Sequence, residues 1–182
     1  EEVAERGAWA PRQKGRAQLL RAPGGATVID DTYNASPETV VNLIGTLAGM
    51  AEPHKVLVLG HLAELEEGLE ESARLIAQAL RPPLALCLVH APREPELSAH
   101  LWDLLRDVPG APPVEPIVDQ DELIRRLRGL DGPGTVIGFK AARSAHLERA
   151  VQGLLGARID CALNPCALLK HCTDCEAMTR HG

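Results

Sequence analysis

Aromatic residues are nearly missing from this chain of 182 residues: Trp9, Tyr33, Trp102 and Phe139 make up 2% of it. A core built on stacked rings is therefore excluded, and Leu, Val, Ile and Ala must fill it, a composition suited to helices packed on an aliphatic sheet. Basic residues are also in short supply, with 19 Lys and Arg against 25 Asp and Glu and a net charge of −6. That balance argues against a nucleic-acid groove, whose phosphates require a clustered cationic surface. No run approaches the ~20 apolar residues that cross a bilayer. The stretch Glu1-Glu2-Val3-Ala4-Glu5-Arg6 lacks the basic-then-apolar order of a secretion signal, so the expectation is a soluble, cytoplasmic protein. Nor is there a Gly-x-x-x-x-Gly-Lys-Ser/Thr phosphate loop, a Gly-x-Gly-x-x-Gly fingerprint, a nucleophile elbow or a zinc-protease helix. The sequence holds no self-sufficient nucleotide cradle.

What is present is an alternation. Hydrophobic residues are 45% of the chain, enough for one core at a size where a domain hides roughly 68–70% of its unfolded surface. From about residue 25 to 155, short β-like runs alternate with longer helix-like runs. This is the pattern of an α/β, Rossmann-like, mostly parallel sheet with helices on both faces. An N-terminal β-hairpin precedes it, with runs 17–21 and 26–30 joined by Ala22-Pro23-Gly24-Gly25. Ser36 as N-cap and Pro37 at the first helical position start a helix over 38–49. Strands are expected at 55–60, 84–90, 114–118 and 135–139, and helices at 69–80, 96–106, 120–128 (capped by Asp119) and 144–155. Residues 1–14 read as the end of a preceding domain and a linker, 15–157 as the folded domain, and 158–182 as a cysteine-rich tail.

In an open parallel sheet, ligands bind beyond the carboxyl ends of the strands. Three loops fall there. Asp30-Asp31-Thr32-Tyr33-Asn34-Ala35-Ser36-Pro37 packs carboxylates, hydroxyls, a phenol and an amide into one strand-to-helix turn, either to meet a ligand or to satisfy turn backbone. Tyr33, the single tyrosine, lies in this polar loop rather than on an apolar face. In Gly60-His61-Leu62-Ala63-Glu64-Leu65-Glu66-Glu67-Gly68, His61 is either ligand-facing or a hydrogen-bonded spectator. In Phe139-Lys140-Ala141-Ala142-Arg143-Ser144, cations precede a helix whose N-terminus disfavours them, so Lys140 and Arg143 either meet an anion or pair with acidic neighbours.

At these loops the sequence resembles the C-terminal domain of the Mur ligases, over about residues 15–155. Gly15-Arg16 is similar to the pair that opens that domain, and Asp30 through Pro37 to the family's Asp-Asp-Ser/Thr-Tyr-Asn-Ala-Asn-Pro. The run Val56 through Leu65 is similar to Val-Leu-Gly-Asp-Met-x-Glu-Leu-Gly, with Glu70-Glu71-Ser72 beyond it. Lys140-Ala141-Ala142-Arg143-Ser144 is similar to Lys-Gly-Ser-Arg-Ser, with Glu148 four residues after the serine. The branch most resembled adds D-alanyl-D-alanine to UDP-MurNAc-tripeptide in peptidoglycan precursor synthesis. In that family three domains bind the UDP-sugar peptide, ATP with Mg²⁺, and the incoming amino acid or dipeptide. A carboxylate is phosphorylated, and the newcomer's amine attacks the acyl phosphate.

By resemblance, Arg16, Asp31, Tyr33 and Asn34 would close over the nucleotide. Lys140, Arg143 and Ser144 would hold the carboxylate of D-alanyl-D-alanine. No catalytic residue and no metal ligand is assigned to this chain, which on this reading does not turn over without a central ATP-binding domain. The sequence departs from the family at His61 (for Asp), Glu66 (for Gly), Ser36 (for Asn), and Ala141 and Ala142 (for Gly-Ser). Ala141 is expected to restrict its loop, because alanine tolerates positive φ poorly. A rival reading is a stand-alone, non-catalytic binding module derived from a Mur ligase.

Beyond residue 155 the resemblance fades. Cys161, Cys166, Cys172 and Cys175, with His171 and His181 nearby, leave three readings open: a structural zinc site, a flexible or adventitious tail, or thiol redox and cross-linking chemistry.

Overall fold

A computed structural model describes residues 13–62, 68–90, 95–161, 166, 168, 170–176 and 178. Residues 1–12 of the expected preceding segment 1–14, and Glu64, Glu66 and Glu67, lie outside the described residues. The elements in chain order are β1 (Gln18–Arg21), β2 (Thr27–Asp31), α1 (Pro37–Gly49), β3 (His54–Leu59), α2 (Leu69–Ala79), β4 (Leu84–Val89), α3 (Pro95–Arg106), β5 (Val114–Pro116), α4 (Gln120–Arg128), β6 (Thr135–Lys140) and α5 (Glu148–Leu154). Short 3₁₀ turns lie at Arg143–Ala145 and Cys172–Asp174. No helix among the described residues is long and apolar enough to cross a membrane.

The six strands form one sheet in the order β1-β2-β6-β3-β4-β5. The hairpin strand β1 is antiparallel to β2, with Gln18 opposite Asp30, and all other pairs are parallel. The aliphatic strands are buried on both faces, as a parallel sheet between helices demands. Leu57, Leu59 and Val136 pack with Leu43 and Leu47 of α1, Ile76 and Leu80 beside α2, and Leu101 and Leu105 of α3. Val56, Val58, Ile137 and Phe139 pack on the opposite face with Leu123 and Leu127 of α4 and Val151 and Leu154 of α5. This is the period-2 alternation of strands read out as two cores.

Local chemistry fixes several boundaries as expected. Ser36 caps α1 in a capping box with Thr39, and Pro37 fills the first turn. Asp119 caps α4, its Oδ1 accepting from the Glu122 N–H at 2.7 Å. Asp119→Ala is expected to cost about 1 kcal/mol of stability, measured by urea unfolding. The last helix departs from expectation. It begins at Glu148 rather than Ser144, because His146 adopts a left-handed conformation (φ 51°, ψ 36°) that ends the 3₁₀ turn first. The argument that Lys140 and Arg143 face a helix N-terminus therefore loses its basis.

Candidate functional site

Strand β6 lies between β2 and β3, yet the loop after it leads to helices on one face while those after β2 and β3 lead to the other. Such a divergence opens a crevice at the carboxyl ends of these strands. The register brings the expected residues there: Asp31 stands opposite Lys140 across β2 and β6, and Leu59 opposite Lys140 across β3 and β6. Three loops far apart in sequence thus meet at one edge.

Tyr33 is the centre of the outer part of the site. The Arg16 guanidinium lies 4.1 Å from its ring centroid and that of Arg143 lies 5.1 Å away. Hydrogen bonding to Gln13, then to Arg16, together with the two positive charges, holds the Tyr33 hydroxyl below its ordinary pKa. Gln13 also accepts from Arg16 Nε at 2.7 Å. Gly15 makes this approach possible: its φ is +70°, and a Cβ there would sit 3.0 Å from Thr32 Oγ1 and 3.1 Å from the Tyr33 nitrogen. The Tyr33 N–H donates to the Gly15 carbonyl at 2.9 Å, so hairpin entry and site loop are tied directly.

Lys140 is the centre of the inner part. Its ammonium, with the side chain only 3% exposed, pairs with Asp31 Oδ2 at 2.7 Å and donates to the Asn34 carbonyl. The second oxygen of Asp31 accepts from the Ala17 N–H at 3.2 Å. Of the two readings left open for the basic loop, pairing with an acidic neighbour holds for Lys140, in a buried setting. Beneath it, burial pushes the Asp30 carboxyl up from its ordinary value, although the hydroxyl and N–H of Thr32 both donate to it. Thr32 and Ser36 thus serve turn and cap backbone. Ser144 sits within the 3₁₀ turn, and the side chain of Asn34 is exposed.

The nucleotide and carboxylate sets assigned by resemblance interlock rather than form separate pockets. Arg143 of the second set stacks on Tyr33 of the first, and Lys140 of the second holds Asp31 of the first. Ala141 does not restrict its loop through backbone strain, since among the described non-glycine residues only Ala17 and His146 have positive φ. Its contact is instead with Gly60, whose N–H donates to the Lys140 carbonyl at 2.8 Å. The His61 carbonyl accepts from the Ala142 N–H at 2.7 Å.

Sequence reasoning missed the role of residues after 158. His171 is buried, its Nδ1 bonded to Thr173 and its Nε2 3.5 Å from where a Gly15 Cβ would lie. Lys14 pairs with Asp174. Cys161, Cys166, Cys172 and Met178 are buried. These described tail residues are therefore packed against the domain, and they brace the Gly15 end of the site. No local pattern around these residues announces that contact.

Residues 15–143 match the family described as Mur ligase, glutamate ligase domain. The UDP-N-acetylmuramoyl-tripeptide–D-alanyl-D-alanine ligase of Mycobacterium leprae is 29% identical over 172 residues, which cover 87% of this chain and 32% of that protein. The ligase of the same name from Bacillus subtilis is 28% identical over 143 residues, 77% of this chain and 30% of that protein. Among solved structures, the MurF ligase of Thermotoga maritima in complex with ADP superposes with a TM-score of 0.63 at 25% identity, covering 82% of this chain and 32% of that one. The MurF of Acinetobacter baumannii shares the fold with a TM-score of 0.65 over 82% of this chain and 31% of that one, at 21% identity. The chain spans about a third of the length of the relatives it matches. With the family match extending over most of the chain and the fold agreeing, this protein belongs to the Mur ligase family, of which it carries the C-terminal domain.

Proposed function

We propose that this chain closes the active site of an ATP-dependent amide-forming ligase that adds D-alanyl-D-alanine to UDP-MurNAc-tripeptide in peptidoglycan precursor synthesis. The observation that carries the reading is the Arg16–Tyr33–Arg143 stack at the sheet's carboxyl edge, in a chain whose relatives are named for that reaction. A guanidinium stacked on a ring keeps its N–H groups in the plane of the stack, where they suit phosphate or carboxylate oxygens. Arg16, Tyr33, Asn34 and Asp31 form the side that meets the nucleotide. Arg143, Ser144 and Lys140 form the side that meets the carboxylate of the incoming dipeptide. ATP supplies the phosphoryl group and Mg²⁺ offsets its charge. Asp31 is the one carboxylate in these two sets and Lys140 already holds it, so the metal ligands are assigned to a central ATP-binding domain of the same ligase. The contribution of this chain is then proximity: domain closure sets the amine against the acyl phosphate and excludes water. The substrates are cytoplasmic precursors, which sets the compartment.

The test is ligation in the complete ligase. Two cation–π contacts at a half-buried ring are each worth about 0.5–1 kcal/mol, so Tyr33→Ala is expected to lower kcat/KM for ATP by roughly 10-fold. Tyr33→Phe, which keeps the ring, is expected to lose less. Unchanged ligation of D-alanyl-D-alanine by Arg16→Ala and Arg143→Ala variants would remove the assignment of these residues to the site.

A further inference from the structure

Beside the site lies a second cluster that the ligase reading does not use. His146 follows the Arg143–Ala145 turn, Glu148 opens α5 and Cys172 opens the tail's 3₁₀ turn. All three side chains are buried, and one ligand atom from each lies within 4.8 Å of the other two. His146 Nδ1 is 3.3 Å from Cys172 Sγ and 3.5 Å from Glu148 Oε1. A single imidazole nitrogen, bearing one hydrogen or one lone pair, thus faces two groups that each become anions on losing a proton.

Those separations are the edges of a coordination tetrahedron. With Zn–N and Zn–O near 2.0 Å and Zn–S near 2.3 Å, tetrahedral angles place N and S about 3.5 Å apart and N and O about 3.3 Å apart. Two further observations point the same way. His146 is held in a left-handed backbone conformation, which a residue with a Cβ adopts at a cost and which aims its ring at the other two. Donors already reach two of the three ligand atoms: Arg149 Nε donates to Cys172 Sγ at 3.3 Å, and the Cys172 N–H donates to Glu148 Oε1 at 3.1 Å.

We infer that His146, Glu148 and Cys172 form a zinc site that fastens the C-terminal tail to the loop bearing Arg143 and Ser144. The mixed nitrogen, oxygen and sulfur set suits Zn²⁺ and not the hard cations Mg²⁺ and Ca²⁺. Binding forms a zinc–sulfur bond as the Cys172 thiol gives its proton to solvent, and the fourth position is left to water. This differs from a four-cysteine site, since Cys172 alone of the tail cysteines joins the cluster. The site would lock the tail that braces Gly15 through His171 and Lys14 through Asp174, linking both ends of the ligand crevice.

The inference is tested on the purified chain, apart from any ligase assay. One zinc per chain by elemental analysis after reconstitution is expected, with a chelator-reversible rise in Tm. Co²⁺ is expected to give a near-ultraviolet sulfur-to-cobalt charge-transfer band. Cys172→Ser should abolish that band and weaken zinc by more than about 100-fold, beyond the ~10–100-fold lost with an outer-shell partner, which is the loss expected for Arg149→Gln. Cys175→Ser should change neither. The inference is overturned if the wild-type chain takes up no stoichiometric zinc and shows no thiolate band, results that need no variant to fold. It is equally overturned if the band survives Cys172→Ser or is lost in Cys175→Ser.

Discussion

Asp31→Ala is expected to destabilise the domain by about 3–5 kcal/mol, the cost of stranding a buried charge. Lys140→Met is expected to cost less, about 1–3 kcal/mol. The asymmetry follows from exposure. Removing the carboxylate leaves the Lys140 ammonium 3% exposed, with only backbone carbonyls for partners, whereas removing the ammonium leaves an Asp31 side chain that is 23% exposed and still accepts from Ala17. Methionine also keeps most of the lysine stem in place. Urea unfolding of both variants and of the double variant measures the order and the coupling. Equal and small losses would show that water reaches the ammonium and that the pair does not hold the two loops together.

This matters for function because an incoming carboxylate has to compete with Asp31 for Lys140. A fall in ligation on removing Lys140 is therefore no proof of a substrate contact unless the stability of the variant is also known. Arg143 offers the cleaner probe. It is half-buried against the half-buried Tyr33 ring and lies outside the buried pair.

Strands β2, β3, β4 and β6 were legible because each carries a short aliphatic run, and the helix starts at Ser36 and Asp119 were legible from side chains that satisfy nearby N–H groups. The site loops were legible because ligand chemistry collects at strand ends. What could not be read was anything set by partners distant in sequence. Ser144 is a sound local helix start, but the cluster of Glu148 with Cys172, together with the left-handed His146, places the start four residues later. The charge argument for Lys140 considered its own loop alone. Its partner is fixed by the register of β2 against β6, which no local pattern shows. The tail cysteines offered three readings because the surroundings of Cys172 are supplied by α5 and its preceding turn.

The departure from family sequence at Ala141 becomes a measurable coupling with Gly60. A Cβ on Gly60 would lie 2.7 Å from the Ala141 Cβ, which is closer than two methyl groups approach, and neither side chain has a torsion that relieves it. Gly60 N–H and the Lys140 carbonyl hold the two strand ends together at 2.8 Å, so the backbone resists separation. Gly60→Ala is therefore expected to cost about 1–3 kcal/mol by overpacking. Ala141→Gly alone removes one buried methyl and adds chain entropy to the unfolded state, a loss of about 1 kcal/mol. In the Gly60→Ala, Ala141→Gly double variant the added methyl takes the space of the one removed. The two losses should then fail to add by about 1–2 kcal/mol, a coupling of the size found between residues in contact. Simple additivity in urea unfolding would mean that the loop after β6 moves freely away from β3. The positions of Lys140 and Arg143 would then be set by ligand and partner domain, not by the sheet edge.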